Sequence, residues 1–199
     1  MSATTVTVWR MTSHAASHTA FHRGRPPGPL VGKAAGIALL VVLFASFMDL
    51  LDATILTVAA PAIAAELHAS QAQLQWMLAG YVLALGSGLI TGGRIGDDSG
   101  RRRVFLVSLA AFAVASAACA LATGPAMLIG TRVLQGLAGG LMVPQVFGII
   151  RSSFDPAGMA KAFGAYGAVQ GLAAVAGPLL GGFLVDADVF GLVGGASSG

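Results

Sequence analysis

The chain has 199 residues, of which 56% are hydrophobic and only 10% charged, and its mean hydropathy is +0.82. Soluble domains carry roughly 25% charged residues, so this composition excludes an ordinary water-soluble globule. The formal net charge of +3 is too small to argue for a nucleic-acid partner, and the single Cys119 rules out an intrachain disulfide or thiolate metal site and reads as a packing residue.

Residues 1–33 are polar, carry Arg10, Arg23, Arg25 and Lys33, and contain a Pro-Pro-Gly-Pro run at 26–29 that regular structure does not accommodate. They read as a disordered tail. His14, His18 and His22 recur every four residues and would share one helical face able to bind a metal, but nothing in the segment favours a helix. From Ala34 to about Ala60 the chain is apolar except for Asp49, Asp52 and a few hydroxyls, long enough for the ~20 residues of a membrane-spanning helix. A cleaved signal peptide is the competing reading; its apolar region would be shorter, and further spans follow at once. Similar blocks occupy about 72–93, 104–123, 126–150 and 162–185, with polar links at 61–71, 94–103, 124–125 and 151–161. The expected fold is an all-α membrane protein with five transmembrane helices.

Orientation follows from the basic residues of short loops. The tail, the second link (Arg94, Arg101, Arg102, Arg103) and the fourth link (Arg151, Lys161) carry them, whereas the first and third links and the segment after 185 have no Lys or Arg. This places the N-terminus in the cytoplasm and residues 187–199 in a short external tail.

An ionisable group within a span is a functional candidate, because it must be paired or watered to be tolerated. Asp49 and Asp52 are three residues apart and share one face of the first helix, while Arg132 lies in the fourth span. At ~1.5 Å per residue, Asp52 sits about 13 Å below Pro61 and Arg132 about 10 Å below Pro125, so the two are expected at similar depth, where pairing would offset both desolvation costs. Snorkelling to the interface is the alternative for Arg132 but is out of reach for the short Asp52. In the second link, Gly93, Gly96 and Gly100 suit a tight turn, Asp97 suits backbone or arginine contacts, and Arg101 and Arg102 suit the inner leaflet. In the fifth span Gly171, Gly177, Pro178, Gly181 and Gly182 combine close packing with a helix-interrupting proline. Trp76 and Tyr81 read as interface anchors or substrate contacts, and the outer position of Trp76 favours the interface.

Taken in order, these segments resemble the signature set of the major facilitator superfamily, and within it the drug:proton antiporter branch with fourteen spans. Leu51-Asp52-Ala-Thr54 through Pro61 resembles the first-span motif, Gln75-Trp76 through Tyr81 the second-span entry, and Gly93 through Arg102 the loop between spans two and three. Leu128 through Arg132, Gln135 and Gly136 resembles the fourth-span motif, and Gly177-Pro178-Leu-Leu-Gly181-Gly182 the fifth-span motif of antiporters. Thr57 departs from the usual Asn, and Asp98 from a commonly basic position. The resemblance implies proton coupling at Asp52 and Arg132, with Asp49 the next candidate, a gating loop at Gly93, Asp97, Gly100, Arg101 and Arg102, and cavity positions at Tyr81 and Gln135. It implies no cofactor, a hydrophobic or cationic small-molecule substrate, protons and the lipid bilayer as partners, and a bacterial-type cell membrane as the location. It also implies a sixth span and a second half, so the chain is expected to be the incomplete N-terminal half of that fold, needing the missing C-terminal spans or a full-length homologue. A membrane fragment without transport of its own is the alternative function. An intramembrane enzyme is disfavoured, because no catalytic pairing of residues falls within the spans.

Cysteines introduced at Ser99 and Ser70 test the orientation: an impermeant thiol reagent added outside intact cells should label position 70 and spare position 99, and the reverse pattern would invert the topology.

Overall fold

The computed structural model describes residues 33–186; the histidines at 14, 18 and 22 and the segment 187–199 lie outside them. Five helices follow one another: α1 (Lys33–Glu66), α2 (Gln71–Ser99), α3 (Arg101–Ala120), α4 (Pro125–Ser153) and α5 (Pro156–Asp186). Each is long and apolar enough to cross a membrane.

The helices run further than the apolar blocks alone indicate. Residues 61–66 were expected in a link, yet α1 continues through Pro61 to Glu66 because Ala62, Ala64, Ala65 and Glu66 are strong helix formers. The second link shrinks to Gly100, the third shifts to 121–124 and the fourth shortens to 154–155. Local chemistry sets these ends. Ser70 caps α2 in a reciprocal box with Gln73, whose backbone N–H donates to Ser70 Oγ at 3.3 Å while its Oε1 accepts from the Ser70 N–H at 2.9 Å. Pro125 and Pro156 open α4 and α5, where a missing N–H costs nothing, and Asp155 Oδ1 accepts from the Gly158 N–H at 2.7 Å. Gly100 has φ 91°, a left-handed conformation that a side chain would strain, and it is the single residue between the end of α2 and the start of α3.

α4 is the central helix. It runs parallel to α2, with Gly136 against Tyr81, Gly140 against Leu85 and Gly92 against Leu141, and antiparallel to α1, α3 and α5. α5 in turn runs parallel to α1, with Gly177 against Thr54 and Gly181 against Val58. A core of Val42, Ala45, Phe105, Met142, Val146, Ile150 and Ala162 joins α1, α3, α4 and α5. The outward faces stay apolar, with Leu40, Phe44, Ile90, Val114 and Leu179 exposed, as lipid as solvent permits. Among the described residues, every Lys and Arg except Arg132 lies at the end of the bundle formed by the starts of α1, α3 and α5 and the ends of α2 and α4.

The α2–α4 seam needs glycine. A Cβ on Gly140 would overlap the Leu85 carbonyl oxygen and approach Gly88 Cα to 2.9 Å, both backbone atoms that cannot swing aside. Gly140→Leu should therefore lower stability by roughly 1–3 kcal/mol, read as a fall in the thermal midpoint in detergent. Gly182, which faces open space, should accept Ala within about 0.5 kcal/mol; equal midpoints for the two variants would show that the seam is not limiting.

Candidate functional site

Five polar side chains from three helices meet inside the bundle. α1 presents Asp49 and Asp52 on one face, α2 contributes Tyr81, and α4 contributes Arg132 and Gln135 one turn apart. Arg132 Nη1 donates to Asp52 Oδ2 at 2.5 Å and to Gln135 Oε1 at 2.7 Å. Its guanidinium carbon lies 4.4 Å from the centre of the Tyr81 ring, within cation–π range. The Tyr81 hydroxyl in turn donates to Asp49 Oδ1 at 2.9 Å. Asp49 reaches this position because α4 carries Gly139, where a Cβ would stand 2.7 Å from Asp49 Oδ1.

Burial decides between pairing and snorkelling. The Arg132 side chain is only 3% exposed, so it does not reach the interface, while that of Asp52 is 25% exposed and forms the accessible edge of the pair. Arg132 Nε and Gln135 Nε2 are buried donors without a partner. Tyr81 and Gln135, expected as cavity positions, direct their polar atoms or ring at Arg132 and Asp49 and are buried. Cys119 is half-buried and not merely a packing residue: its Sγ lies 3.2 Å from Thr131 Oγ1 and 3.5 Å from Gln135 Oε1, at the α3 side of the cluster.

Pro61, expected from the sequence at the outer end of the first span, instead lies inside α1. Asp52 lies about 21 Å from Glu66, where α1 ends, and Arg132 about 10 Å from Pro125, so α1 projects roughly two turns beyond the start of α4 while the charges still meet.

At the basic end, the expected turn over 94–103 is mostly helical: Gly93, Asp97 and Asp98 belong to α2, and Arg101 and Arg102 to α3. Arg101 Nη2 and Nε donate to Asp97 Oδ1 at 3.0 and 3.3 Å, and Nη1 donates to the Gly148 carbonyl of α4 at 3.1 Å. One side chain thus ties α2, α3 and α4 together. Arg102 is exposed and Gly93 faces open space. On α5, a Cβ on Gly177 would overlap Thr54 Oγ1 and one on Gly181 would stand 3.1 Å from the Ile55 carbonyl oxygen, so this face forms the contact with α1. Pro178 sits within α5 and leaves the Ala174 carbonyl without a helical donor. Among the described residues no cluster of three or more metal-ligating side chains occurs.

Sequence reasoning did not single out Gln145. It is buried on α4, and its Nε2 donates to the Gly92 carbonyl of α2 at 2.7 Å and to the Leu141 carbonyl at 3.1 Å. Its Oε1 occupies the space a Cβ on Gly96 would need, which gives Gly96 a packing role. An amide inside an apolar run was the available signal, but nothing in the sequence names its partner.

Comparison with known proteins bears on this arrangement. Residues 42–196 match the family model described as Major Facilitator Superfamily. A Streptomyces coelicolor protein named "Probable actinorhodin transporter" is 50% identical over 83% of this chain and 30% of its own length. The tetracenomycin C resistance and export protein of Streptomyces glaucescens is 44% identical over 82% of this chain and 29% of its own length, and the puromycin resistance protein of Streptomyces alboniger 38% identical over 74% and 30%. The chain spans about 30% of the length of these curated relatives.

Gln145→Leu removes the interhelical bond while keeping an apolar side chain of similar reach, and should cost about 1 kcal/mol, seen as a lower thermal midpoint. An unchanged midpoint would reduce the amide to a filler of the seam.

Proposed function

The chain belongs to the major facilitator superfamily, and on that footing we propose that its five helices are part of a secondary transporter exporting hydrophobic or cationic small molecules in exchange for protons. The export named for one relative and the resistance named for both support outward transport of a small molecule. The observation that carries the proton side is the pairing of buried Arg132 on α4 with the partly exposed Asp52 on α1.

An ionised carboxyl in a membrane span is tolerated while a cation faces it, and takes a proton when that cation is withdrawn. Asp52 is the more accessible partner and so the one that water reaches first. A conformation that separates α1 from α4 withdraws the guanidinium from this carboxylate, so Arg132 and a proton hold Asp52 alternately as the helices move. Alternating occupancy of one group is what exchange requires. In this reading Tyr81 and Gln135 hold the guanidinium and meet substrate only when the cluster opens.

The remaining motifs take roles consistent with this. The Asp97–Arg101–Gly148 tie locks the basic end, which the loop charges assign to the cytoplasm, and breaks when that side opens. The face formed by Gly177 and Gly181 lets α5 bear directly on α1, three residues from Asp52 at Ile55, so movement of α5 is felt at the coupling group. Facilitator cavities form between two halves that rock against each other, so export is a property of the longer assembly that includes such helices. The second reading, a membrane fragment without transport of its own, draws on the 30% span of the relatives.

Asp52→Asn, placed in a full-length transporter carrying these helices and reconstituted in vesicles, separates coupling from mere structure. Substrate-driven proton flux should fall by roughly 100-fold with substrate binding and membrane level retained. Parental flux in that variant would remove Asp52 from the coupling site, and parental flux from the 199-residue chain alone would remove the fragment reading.

A further inference from the structure

The geometry points to Asp49 and Asp52 sharing a single proton and a single guanidinium, with Arg132 held by whichever carboxylate lacks the proton. This rests on the reading of the cluster as a coupling site and assigns Asp49, the deeper carboxyl, as its second station.

Charge counting leads there. Two carboxylates and one guanidinium within the bundle leave one uncompensated negative charge, and among the described residues no cation forms an ion pair with the buried Asp49. The other titratable groups within electrostatic reach are Tyr81 on α2, Cys119 on α3 and Tyr166 on α5. All three are neutral at pH 7 by their ordinary chemistry, so none supplies the missing charge. One proton on the carboxyl pair makes the cluster neutral, the condition under which a span tolerates it.

The contacts supply both stations. Arg132 Nη1 holds Asp52, yet Nε is buried without an acceptor, so the guanidinium is only partly satisfied where it stands. Its face lies on the Tyr81 ring, and the hydroxyl of that same ring binds Asp49. Tyr81 is therefore a shared wall: the guanidinium on its face and the second carboxyl at its tip. Gly139 leaves Asp49 Oδ1 room against the α4 backbone. Moving Arg132 from Asp52 to Asp49 transfers the proton the other way, from Asp49 to Asp52, and the charges balance at both ends of the step. The carboxyls are three residues, about 4.5 Å, apart along α1, so the exchange shifts a proton between an edge site and a buried one.

Infrared difference spectroscopy of the 199-residue chain in lipid nanodiscs at neutral pH reads this directly through the exchange-sensitive carbonyl stretch of protonated carboxyls. The remaining acids, Glu66, Asp97, Asp98, Asp155, Asp186 and Asp188, lie outside the apolar blocks of the sequence, and the substitutions at 49 and 52 assign the band to this pair. The parent should show the band of one protonated carboxyl. Sharing demands that Asp49→Asn and Asp52→Asn each abolish it, because one carboxylate and one guanidinium are already neutral, that Asp49→Glu retain it, and that Arg132→Leu double it. A band surviving Asp52→Asn at parental intensity would make Asp49 a static neutral acid and overturn the proposal, as would a parent without the band. These outcomes are independent of transport: loss of flux in Asp52→Asn with a surviving band would keep the coupling role and refute the sharing.

Discussion

An arginine side chain almost wholly withdrawn from water within a membrane span has to be compensated on every side, and much of this architecture follows from compensating Arg132. α1 must bring a carboxylate to it, α2 must lay an aromatic face beneath it, and α4 must spend a neighbouring amide on the same nitrogen. Each requirement fixes a rotation of one helix about its own axis. Rotating α1 by one residue, about 100°, would carry Asp49 and Asp52 off the face that meets α4 and leave an unpaired charge in its place.

The glycines make that geometry reachable. Asp is short, and a carboxylate on one helix meets groups on another only if the backbones approach closely. Gly139 admits Asp49 against α4, while Gly136 and Gly140 bring α2 near enough for Tyr81 to touch both Asp49 and Arg132. Packing and electrostatics are thus one problem in this bundle: small residues set the distance, and the distance lets the charges meet. At the basic end the same logic recurs with a backbone carbonyl, as Gly148 leaves its oxygen open to Arg101.

The sequence made the five spans and the Asp52–Arg132 meeting legible, because an apolar run of sufficient length and an ionised group inside it have few physical solutions. Helix ends were less legible. Pro61 and the Arg94–Ser99 stretch look like punctuation, but at a membrane surface alanine, glutamate and arginine continue a helix as readily as they leave one, so α1 and α2 overrun the apolar blocks. Contacts of neutral amides were least legible. Gln135 and Gln145 sit ten residues apart on α4 in similar apolar company, yet one serves the ion pair and the other grips α2, a difference set by which neighbour lies opposite. The family resemblance pointed to the span-two loop as a gate; the three-helix tie through Arg101 needed coordinates, since its acceptor is a main-chain oxygen that no side-chain pattern encodes.

The seam between α2 and α4 also has a genetic consequence. Every missense change of a glycine codon adds at least one carbon atom, so at Gly136 and Gly140, where that atom meets main chain, no single-nucleotide amino-acid replacement is sterically silent. On the outward faces, at Leu40, Ile90 or Val114, a change among aliphatic residues disturbs no buried contact within the bundle. Mutational drift in this chain is therefore channelled to its perimeter, while its interior spacing behaves as a fixed gauge against which new side chains on the outer faces can be tried.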